Sequence, residues 1–246
     1  MNADIVILCG GVGSRLTPLI SDRPKPMADI NGKPFLDLVI NYYRSFGAWR
    51  FILCTGHMSD FIENYYKANT QDVEIVLSKE NTPLGTAGGV KNAAKMIKSE
   101  PFFVINGDSF CKVDVSDFYA FHRRMSPSVS MAVTEVKDAH SYGSVIIDTS
   151  QRITGFMEKS EVSEKAYINA GIYLFNNTDV LNLIPSETKY SLEYDFFPKI
   201  AGSGAFYGYI TNAPLFDIGT PERYERALRE LKEIHLQMTQ LRIKKF

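Results

Sequence analysis

Features that would place this sequence of 246 residues in a special structural class are scarce or missing. It has only 3 cysteines, which lie far apart and form neither a disulfide framework nor a CxxC zinc pair. No apolar run approaches the ~18 residues that a membrane span needs. The segment 1–8 contains Asp4 and no basic run, so it does not resemble a secretory signal. We therefore expect a soluble cytoplasmic protein that does not act at a membrane.

An excess of charge of one sign is also missing. The chain has 27 Lys and Arg against 28 Asp and Glu, which gives a formal net charge of -1. This balance argues against a protein held to nucleic acid by bulk charge, although it allows a local basic pocket for phosphates. With 45% hydrophobic and 22% charged residues, the chain is too apolar to be disordered. It has no linker, repeat or low-complexity segment, so we predict a single domain over residues 1–246.

Short apolar runs alternate with helical patterns through the first half of the sequence. An order of strand, helix, strand and helix favours parallel pairing, and hence a doubly wound, Rossmann-like α/β sheet. In the second half the strand-like runs lie closer together, which predicts a mixed sheet continuous with the first half. Cys9 and Cys54 stand within such runs, where we expect buried, inert thiols. The predicted strands lie at 5–9, 51–54, 73–77, 102–105, 129–133, 144–147, 171–175 and 206–210.

The last part of the sequence predicts a long helix over residues 220–246. Thr220 is a typical N-cap residue, and Pro221 is suited to the first helical position. Apolar residues then recur in steps of three and four up to Leu241. The simpler interpretation is a helix that lies across its own domain. The alternative is a subunit contact, which would make the protein a homo-oligomer.

A glycine-rich turn follows the first predicted strand. Gly10, Gly11 and Gly13 allow backbone N–H groups to approach phosphate oxygens closely, at the sheet edge where α/β folds bind ligands. Arg15 adds a fork of donors that suits phosphate. Leu16 stands where the Rossmann GxGxxG motif requires its third glycine, and no Gly-Lys-Ser/Thr follows as in a P-loop. A glycine turn alone also serves purely steric needs.

A lysine between two prolines follows this turn. Pro24 and Pro26 fix the backbone around Lys25, which by itself would indicate a solvated lysine on a rigid loop. Together, the segments 10–19 and 24–27 resemble the signature of the sugar-1-phosphate nucleotidylyltransferases. Members of this family join a nucleoside triphosphate to a sugar 1-phosphate and release pyrophosphate. The resemblance implies a single-domain nucleotidyltransferase fold of the glycosyltransferase-A-like type.

Further segments resemble this family in the same order along the chain, so that the resemblance covers residues 3 to about 225. Segment 83–88 resembles the base-recognition loop, and segment 105–108 resembles the strand end that carries a magnesium ligand. Residues 142–143, 156–159 and 169–173 resemble the sugar-pocket segments of the family. Residues 217–222 resemble its second metal-binding segment.

The resemblance implies a role for each matching residue. It implies that the catalytic residues are Arg15, Lys25 and Asp108. It implies nucleotide binding by Leu8, Gly10, Gly11, Gly13, Ser14, Pro83, Gly85, Thr86 and Gly88. Sugar-phosphate binding is implied for Gly143, Glu158, Lys159, Asn169 and Gly171. Mg²⁺ is the implied cofactor, with Asp108 and Asp217 as its ligands.

The residues themselves support some of these roles more than others. Asp108 follows an apolar strand and a glycine, so its carboxylate should emerge beside the glycine turn. Asp217 is also suited to a turn or to the cap of the helix that begins near Thr220. Glu158 and Lys159 are adjacent, so on a strand they would point to opposite faces. The pair could equally be solvated charges.

The base-recognition loop 81–88 resembles that of the guanylyl-transferring members, which implies GTP as a substrate. The short chain and the run 191–195 resemble the members that act on D-glycero-α-D-manno-heptose 1-phosphate, for surface-glycan biosynthesis. Mannose 1-phosphate is the alternative sugar. We expect backbone groups, without charged side chains, to recognise guanine. A non-catalytic nucleotide-sugar sensor and a nucleotide-dependent oxidoreductase are the alternatives from other functional classes.

Overall fold

The computed structural model describes residues 2–11, 13, 15–16, 19–69, 72–139, 142–158, 166–186 and 188–232. The strands are β1 (Ile5–Leu8), β2 (Asp29–Ile30), β3 (Lys33–Pro34), β4 (Arg50–Thr55), β5 (Glu74–Lys79), β6 (Phe102–Asn106), β7 (Ser109–Cys111), β8 (Val129–Val136), β9 (Ser144–Ile147), β10 (Ile153–Met157), β11 (Ala166–Phe175), β12 (Phe206–Thr211) and β13 (Leu215–Asp217). The helices are α1 (Phe35–Ser45), α2 (Ser59–Ala68), α3 (Gly85–Ala93), α4 (Val115–Met125), α5 (Phe197–Ile200) and α6 (Pro221–Glu230).

Nine of these strands form one mixed sheet. Its main path runs β10-β9-β11-β6-β1-β4-β5, and β8 pairs with both β11 and β12. The strands β6, β1, β4 and β5 pair with one another in parallel, as the alternation of strands and helices predicts. In the second half, β11 is antiparallel to β6 and β8. The predicted mixed α/β sheet is thereby confirmed, and both halves of the chain contribute to it.

The central strands of the first half, β1, β4 and β6, are buried on both faces. In β1, Ile5 and Ile7 pack into one core cluster with α1, α2 and α4, whereas Val6 packs into a second cluster with α3 and α5. This alternation follows from the two-residue period of a strand. Cys9 and Cys54 are buried and free of disulfides, as predicted.

The predicted C-terminal helix is found over a shorter stretch. Thr220 caps α6 and accepts a hydrogen bond from the N–H of Arg223, as its sequence position predicts. The helix ends at Glu230, and residues 233–246 of the predicted helix lie outside the described residues. Among the helices that are described, none is long and apolar enough to cross a bilayer.

The topology brings the loops after four neighbouring parallel strands to one edge of the sheet. In spatial order these loops follow β6, β1, β4 and β5. The carboxyl edge of a parallel sheet is where α/β folds bind their ligands. The loops after β1, β5 and β6 contain the predicted phosphate, base and metal residues.

Candidate active site

A cavity of about 760 Å³ opens at this edge of the sheet. Most of the residues predicted to bind the nucleotide or to act in catalysis line it, although they come from loops that are distant in sequence. These are Leu8, Gly10, Gly11, Gly13, Arg15, Lys25, Pro83, Gly85, Thr86 and Asp108. The cavity is large enough for a small organic ligand, for which volumes of about 300–1,000 Å³ are usual.

The glycine turn after β1 packs closely on both sides. A Cβ atom on Gly10 would lie 2.6 Å from Oε1 of Glu80, and one on Gly13 would lie 2.9 Å from Cβ of Lys25. Gly13 also has φ of +64°, which side chains rarely adopt. Glycine is therefore required at position 13, whereas a side chain at position 10 would displace the Glu80 carboxylate. The turn brings the base loop and Lys25 to the same cavity.

Lys25 points into the cavity rather than into solvent. It begins a short 3₁₀ turn, Lys25–Met27, in which Pro26 and Met27 are buried. Its Nζ lies 2.5 Å from Oδ2 of Asp108, and the two side chains are 13% and 38% exposed. The interpretation of Lys25 as a solvated surface lysine is therefore wrong.

Glu80 is a cavity residue that the sequence analysis missed. Its Oε2 accepts a hydrogen bond of 2.6 Å from the N–H of Leu84, while Oε1 faces Gly10. Burial raises the pKa of the Glu80 carboxyl, and the bond from Leu84 opposes this rise. A partly buried carboxyl group therefore lies directly before the base loop and lines the cavity, in addition to the backbone groups that we expected to recognise guanine. Its position three residues after the predicted strand 73–77, before the base loop, was the available signal.

Residues 188–196, of which the sequence analysis used only the run 191–195 as a family resemblance, hold the beginning of α3 in place. The Tyr190 carbonyl accepts hydrogen bonds from the N–H groups of Ala87 and Gly88, at 3.0 and 3.1 Å. Thr86 donates its hydroxyl to Oε2 of Glu193 over 2.6 Å. Glu193 lies in a π-helical turn and lines the cavity, as does Lys189. These contacts span about half of the sequence, so no local pattern could predict them.

Gly88 differs from the other residues of the base loop. It is buried in α3, and a Cβ there would lie 2.8 Å from Cβ of Leu84 and 3.2 Å from the Thr188 carbonyl oxygen. Its N–H donates to the Tyr190 carbonyl and is therefore already used. Gly88 contributes packing of the loop and is absent from the cavity lining.

Four predicted sugar-pocket residues lie together, next to the cavity lining rather than in it. The N–H of Asn169 donates to the Gly143 carbonyl over 2.9 Å, and Oδ1 of Asn169 accepts from the N–H of Gly171 over 2.8 Å. A Cβ on Gly143 would lie 2.7 Å from Oε2 of Glu158. Because β10 ends at Met157, Glu158 lies after the strand. The argument that Glu158 and Lys159 point to opposite faces of a strand therefore does not apply. The remaining predicted residues, Ser14 and Lys159, lie outside the described residues.

Asp217, at the end of β13, is surrounded by hydrogen-bond donors. Its Oδ1 accepts from the N–H of Gly219 over 2.8 Å, and its Oδ2 accepts from the Tyr142 hydroxyl over 3.3 Å. Nη1 of Arg223 lies 3.3 Å from both oxygens. Gly219 lines the cavity, whereas Asp217 lies behind it.

Asp108 and Asp217 fit a site for a divalent cation. They come from adjacent backbone positions, because the N–H of Ile218 donates to the Asp108 carbonyl over 3.1 Å. Within the part of the chain that is described, no cluster of three or more acidic, histidine or cysteine residues could hold a metal. Mg²⁺ commonly takes one or two carboxylates and completes its shell with water and substrate phosphates, which suits this pair.

Comparison with known proteins agrees with this geometry. Residues 4–234 match the profile of the family described as nucleotidyl transferase. The chain belongs to the nucleotidyl transferase family. This confirms the family resemblance seen in the motifs of the sequence.

Relatives of two specificities are similar to the chain. A D-glycero-α-D-manno-heptose 1-phosphate guanylyltransferase of Aneurinibacillus thermoaerophilus is 36% identical, over 93% of this chain and 98% of the relative. A mannose-1-phosphate guanylyltransferase of Mycobacterium tuberculosis is 33% identical over 93% of this chain, which spans only 64% of that relative. The crystal structure of HddC from Yersinia pseudotuberculosis has a TM-score of 0.84 at 35% identity and covers 94% of this chain and 100% of its own. HddC has also been crystallised in complex with GMP-PN.

Proposed function

We propose that the chain transfers GMP from GTP to D-glycero-α-D-manno-heptose 1-phosphate and releases pyrophosphate. The observation that carries the choice of GTP is the Glu80 carboxylate beside the glycine turn and the base loop. Guanine presents two neighbouring donors, N1–H and the N2 amino group, and a carboxylate can accept from both. Adenine presents an acceptor at N1, which a carboxylate repels. A buried acceptor left without a partner disfavours the wrong base.

The similarity to known enzymes supports the heptose as the sugar. Two heptose 1-phosphate guanylyltransferases are 36% and 34% identical to the chain. The mannose-1-phosphate enzyme of Mycobacterium tuberculosis is 33% identical, which makes mannose 1-phosphate the second candidate sugar. The cluster of Gly143, Glu158, Asn169 and Gly171 offers carbonyl, amide and carboxylate groups to sugar hydroxyls. Lys159 completes the proposed sugar-phosphate site.

The proposed reaction needs positioning and charge compensation rather than a covalent enzyme intermediate. A phosphate oxygen of the sugar 1-phosphate attacks the α-phosphorus of GTP. The bond from this phosphorus to the bridging oxygen of the β-phosphate breaks, and pyrophosphate leaves with the electron pair. The backbone of Gly10, Gly11 and Gly13, together with Arg15, binds the β- and γ-phosphates. Lys25 compensates the charge that develops at the reacting phosphates.

We propose Mg²⁺ as the cofactor, held by Asp108 and Asp217. When bound, the cation would supply charge compensation between the nucleotide α-phosphate and the sugar phosphate. Lys25 already faces Asp108 over 2.5 Å, so it is placed to exchange this carboxylate for a phosphate oxygen when substrates bind. We further propose that the chain is one domain and acts in the cytoplasm.

A substrate panel tests this function. Purified protein is incubated with Mg²⁺, each of GTP, ATP, CTP, UTP and dTTP, and either the heptose 1-phosphate or mannose 1-phosphate, while pyrophosphate release is measured. We expect GTP with the heptose 1-phosphate to give the highest kcat/KM. A preference for mannose 1-phosphate would contradict the heptose assignment alone. A preference for another nucleotide would contradict both assignments. No release from any pair would favour the non-catalytic sensor.

A further inference from the structure

Asp217 has no free lone pair in this structure. Its two carboxylate oxygens accept four hydrogen bonds, from the Gly219 N–H, the Tyr142 hydroxyl and twice from Nη1 of Arg223. An ionised carboxylate offers about four lone-pair positions. A cation that binds Asp217 directly must therefore displace one of these donors.

Arg223 is the donor that such a cation would displace. A divalent cation and a guanidinium repel each other, whereas the Gly219 N–H and the Tyr142 hydroxyl are neutral. The Arg223 contacts are also long, at 3.3 Å, and are made by a single nitrogen. The bidentate geometry that makes Arg–carboxylate pairs strong is therefore missing.

Arg223 is nevertheless firmly placed beside Asp217. It lies in the first turn of α6, where its N–H donates to the Thr220 cap. Its guanidinium lies 4.4 Å from the centre of the Tyr142 ring. Because this stacking does not depend on Asp217, the guanidinium can stay over Tyr142 after it leaves the carboxylate.

We infer that Arg223 is a positioning residue that holds the Asp217 carboxylate in the cation-free enzyme and competes with the divalent cation for it. This inference rests on one part of the proposed function, namely that Asp217 is a ligand of the divalent cation. Arg223 thereby sets the affinity of the site for the cation. It also links that site to Tyr142, which directly precedes the proposed sugar residue Gly143.

Cation binding to the free enzyme tests this inference without any need for turnover. Mn²⁺ is titrated against the wild type and Arg223→Gln, and bound Mn²⁺ is measured by electron paramagnetic resonance. We expect Arg223→Gln to bind Mn²⁺ about tenfold more tightly, since it removes a charge-assisted competitor. Arg223→Lys keeps the positive charge and is expected to remain near the wild type.

Arg226→Gln is the matched control. Arg226 lies one turn further along α6, packs over the Phe216 ring and pairs with Glu230, so its loss changes the net charge equally without freeing Asp217. We expect this variant to bind Mn²⁺ nearly as the wild type does. In an Asp217→Asn background, the gain from Arg223→Gln should disappear.

Three results would overturn the inference: no gain in Mn²⁺ affinity in Arg223→Gln, an equal gain in Arg226→Gln, or a gain that persists in Asp217→Asn. Thermal unfolding of each variant shows whether it is folded, and Arg223→Met provides a second neutral replacement.

Turnover of GTP with the heptose 1-phosphate by the wild type is measured separately. Active wild type with no affinity gain contradicts only the role of Arg223, whereas a gain in an enzyme that does not use GTP contradicts only the proposed function.

Discussion

Lys25 and Asp108, which are 83 residues apart in sequence, meet over 2.5 Å between Nζ and Oδ2 at the edge of the sheet. Lys25 lies on the chain that follows β1, and Asp108 follows β6, the parallel neighbour of β1. In this arrangement each charge neutralises the other. In the proposed reaction, phosphates and a cation arrive together, so both residues can exchange partners without leaving an unpaired charge.

Replacing Lys25 with methionine separates the role of its charge from that of its stem. Lys25→Met keeps most of the side-chain volume between the two prolines but removes the ammonium. We expect kcat to fall by about 100-fold or more, the scale of losing one preorganised charge, with a small change in melting temperature. Lys33→Met, on exposed strand β3, is the control and should keep full activity. Unchanged kcat in Lys25→Met would mean that its charge has no catalytic role.

The proposed binding of Mg²⁺ by the Asp108 carboxylate can be tested in the same assay. Asp108→Asn keeps the shape but removes the charge proposed to bind Mg²⁺, so we expect kcat to fall by about 100-fold or more. The fold should survive, because the side chain is 38% exposed. Asp72→Asn removes an exposed carboxylate that pairs with Arg44 and should leave kcat unchanged. Near-normal turnover of Asp108→Asn at saturating Mg²⁺ would exclude Asp108 as a required ligand.

A buried histidine predicts how stability depends on pH. Burial, assisted by the nearby charge of Arg123, lowers the pKa of His122 to about 4. Nδ1 of His122 lies 2.8 Å from the Ser130 hydroxyl, and Nε2 has no partner within the described residues. In the unfolded chain the same group takes up a proton near pH 6.5. The unfolded state therefore binds more protons than the folded state between pH 6.5 and about 4, and stability falls as the pH drops through this window.

We expect this histidine to lower the free energy of unfolding by about 2 kcal/mol between pH 7 and pH 5. His122→Asn keeps a donor near Ser130 but does not titrate, so its stability should fall less over the same interval. The measurement is urea denaturation at both pH values. Equal pH dependence in wild type and His122→Asn would contradict the prediction.

The sequence predicted those parts of the fold and site that depend on local pattern. The run Ile5–Leu8 is uniformly apolar, which predicts a strand buried on both faces, and the glycines after it predict a turn at the ligand-binding edge. Asp108 was placed by the same reasoning. In each case the signal lies within a few residues of the position that it predicts.

The residues that the sequence analysis missed depend on contacts between distant segments. Glu193 meets Thr86 across 107 residues, and only the folded chain brings the two together. In the same packing, the N–H of Gly88 donates to the Tyr190 carbonyl. Gly88, which the resemblance assigned to nucleotide binding, therefore lies outside the cavity lining. Glu80 differs, since it stands only three residues after the predicted strand 73–77. The sequence therefore indicated that Glu80 lies near the ligand-binding edge, but it did not predict the packing of its carboxyl group against Gly10.

Glu80 provides the sharpest test of base selection. Glu80→Gln keeps an acceptor for the Leu84 N–H but presents an amide in place of a second carboxylate oxygen. Guanine then loses one acceptor for its N1–H and N2 amino donors, while the repulsion of adenine N1 disappears. We expect kcat/KM for GTP to fall on the order of 100-fold, and the preference for GTP over ATP to shrink with it.

Acid should reduce the same preference in the wild type. Because burial raises the pKa of the Glu80 carboxyl, protonation removes the charged acceptor at a higher pH than for an exposed glutamate. The ratio of kcat/KM for GTP to that for ATP is therefore expected to fall as the pH decreases, and to be nearly constant with pH in Glu80→Gln. Glu74→Gln, at the opposite end of β5, removes a charge from the same strand and should behave as the wild type. If Glu80→Gln retains the full preference for GTP, guanine is recognised by other groups of the cavity and the base assignment loses its main support.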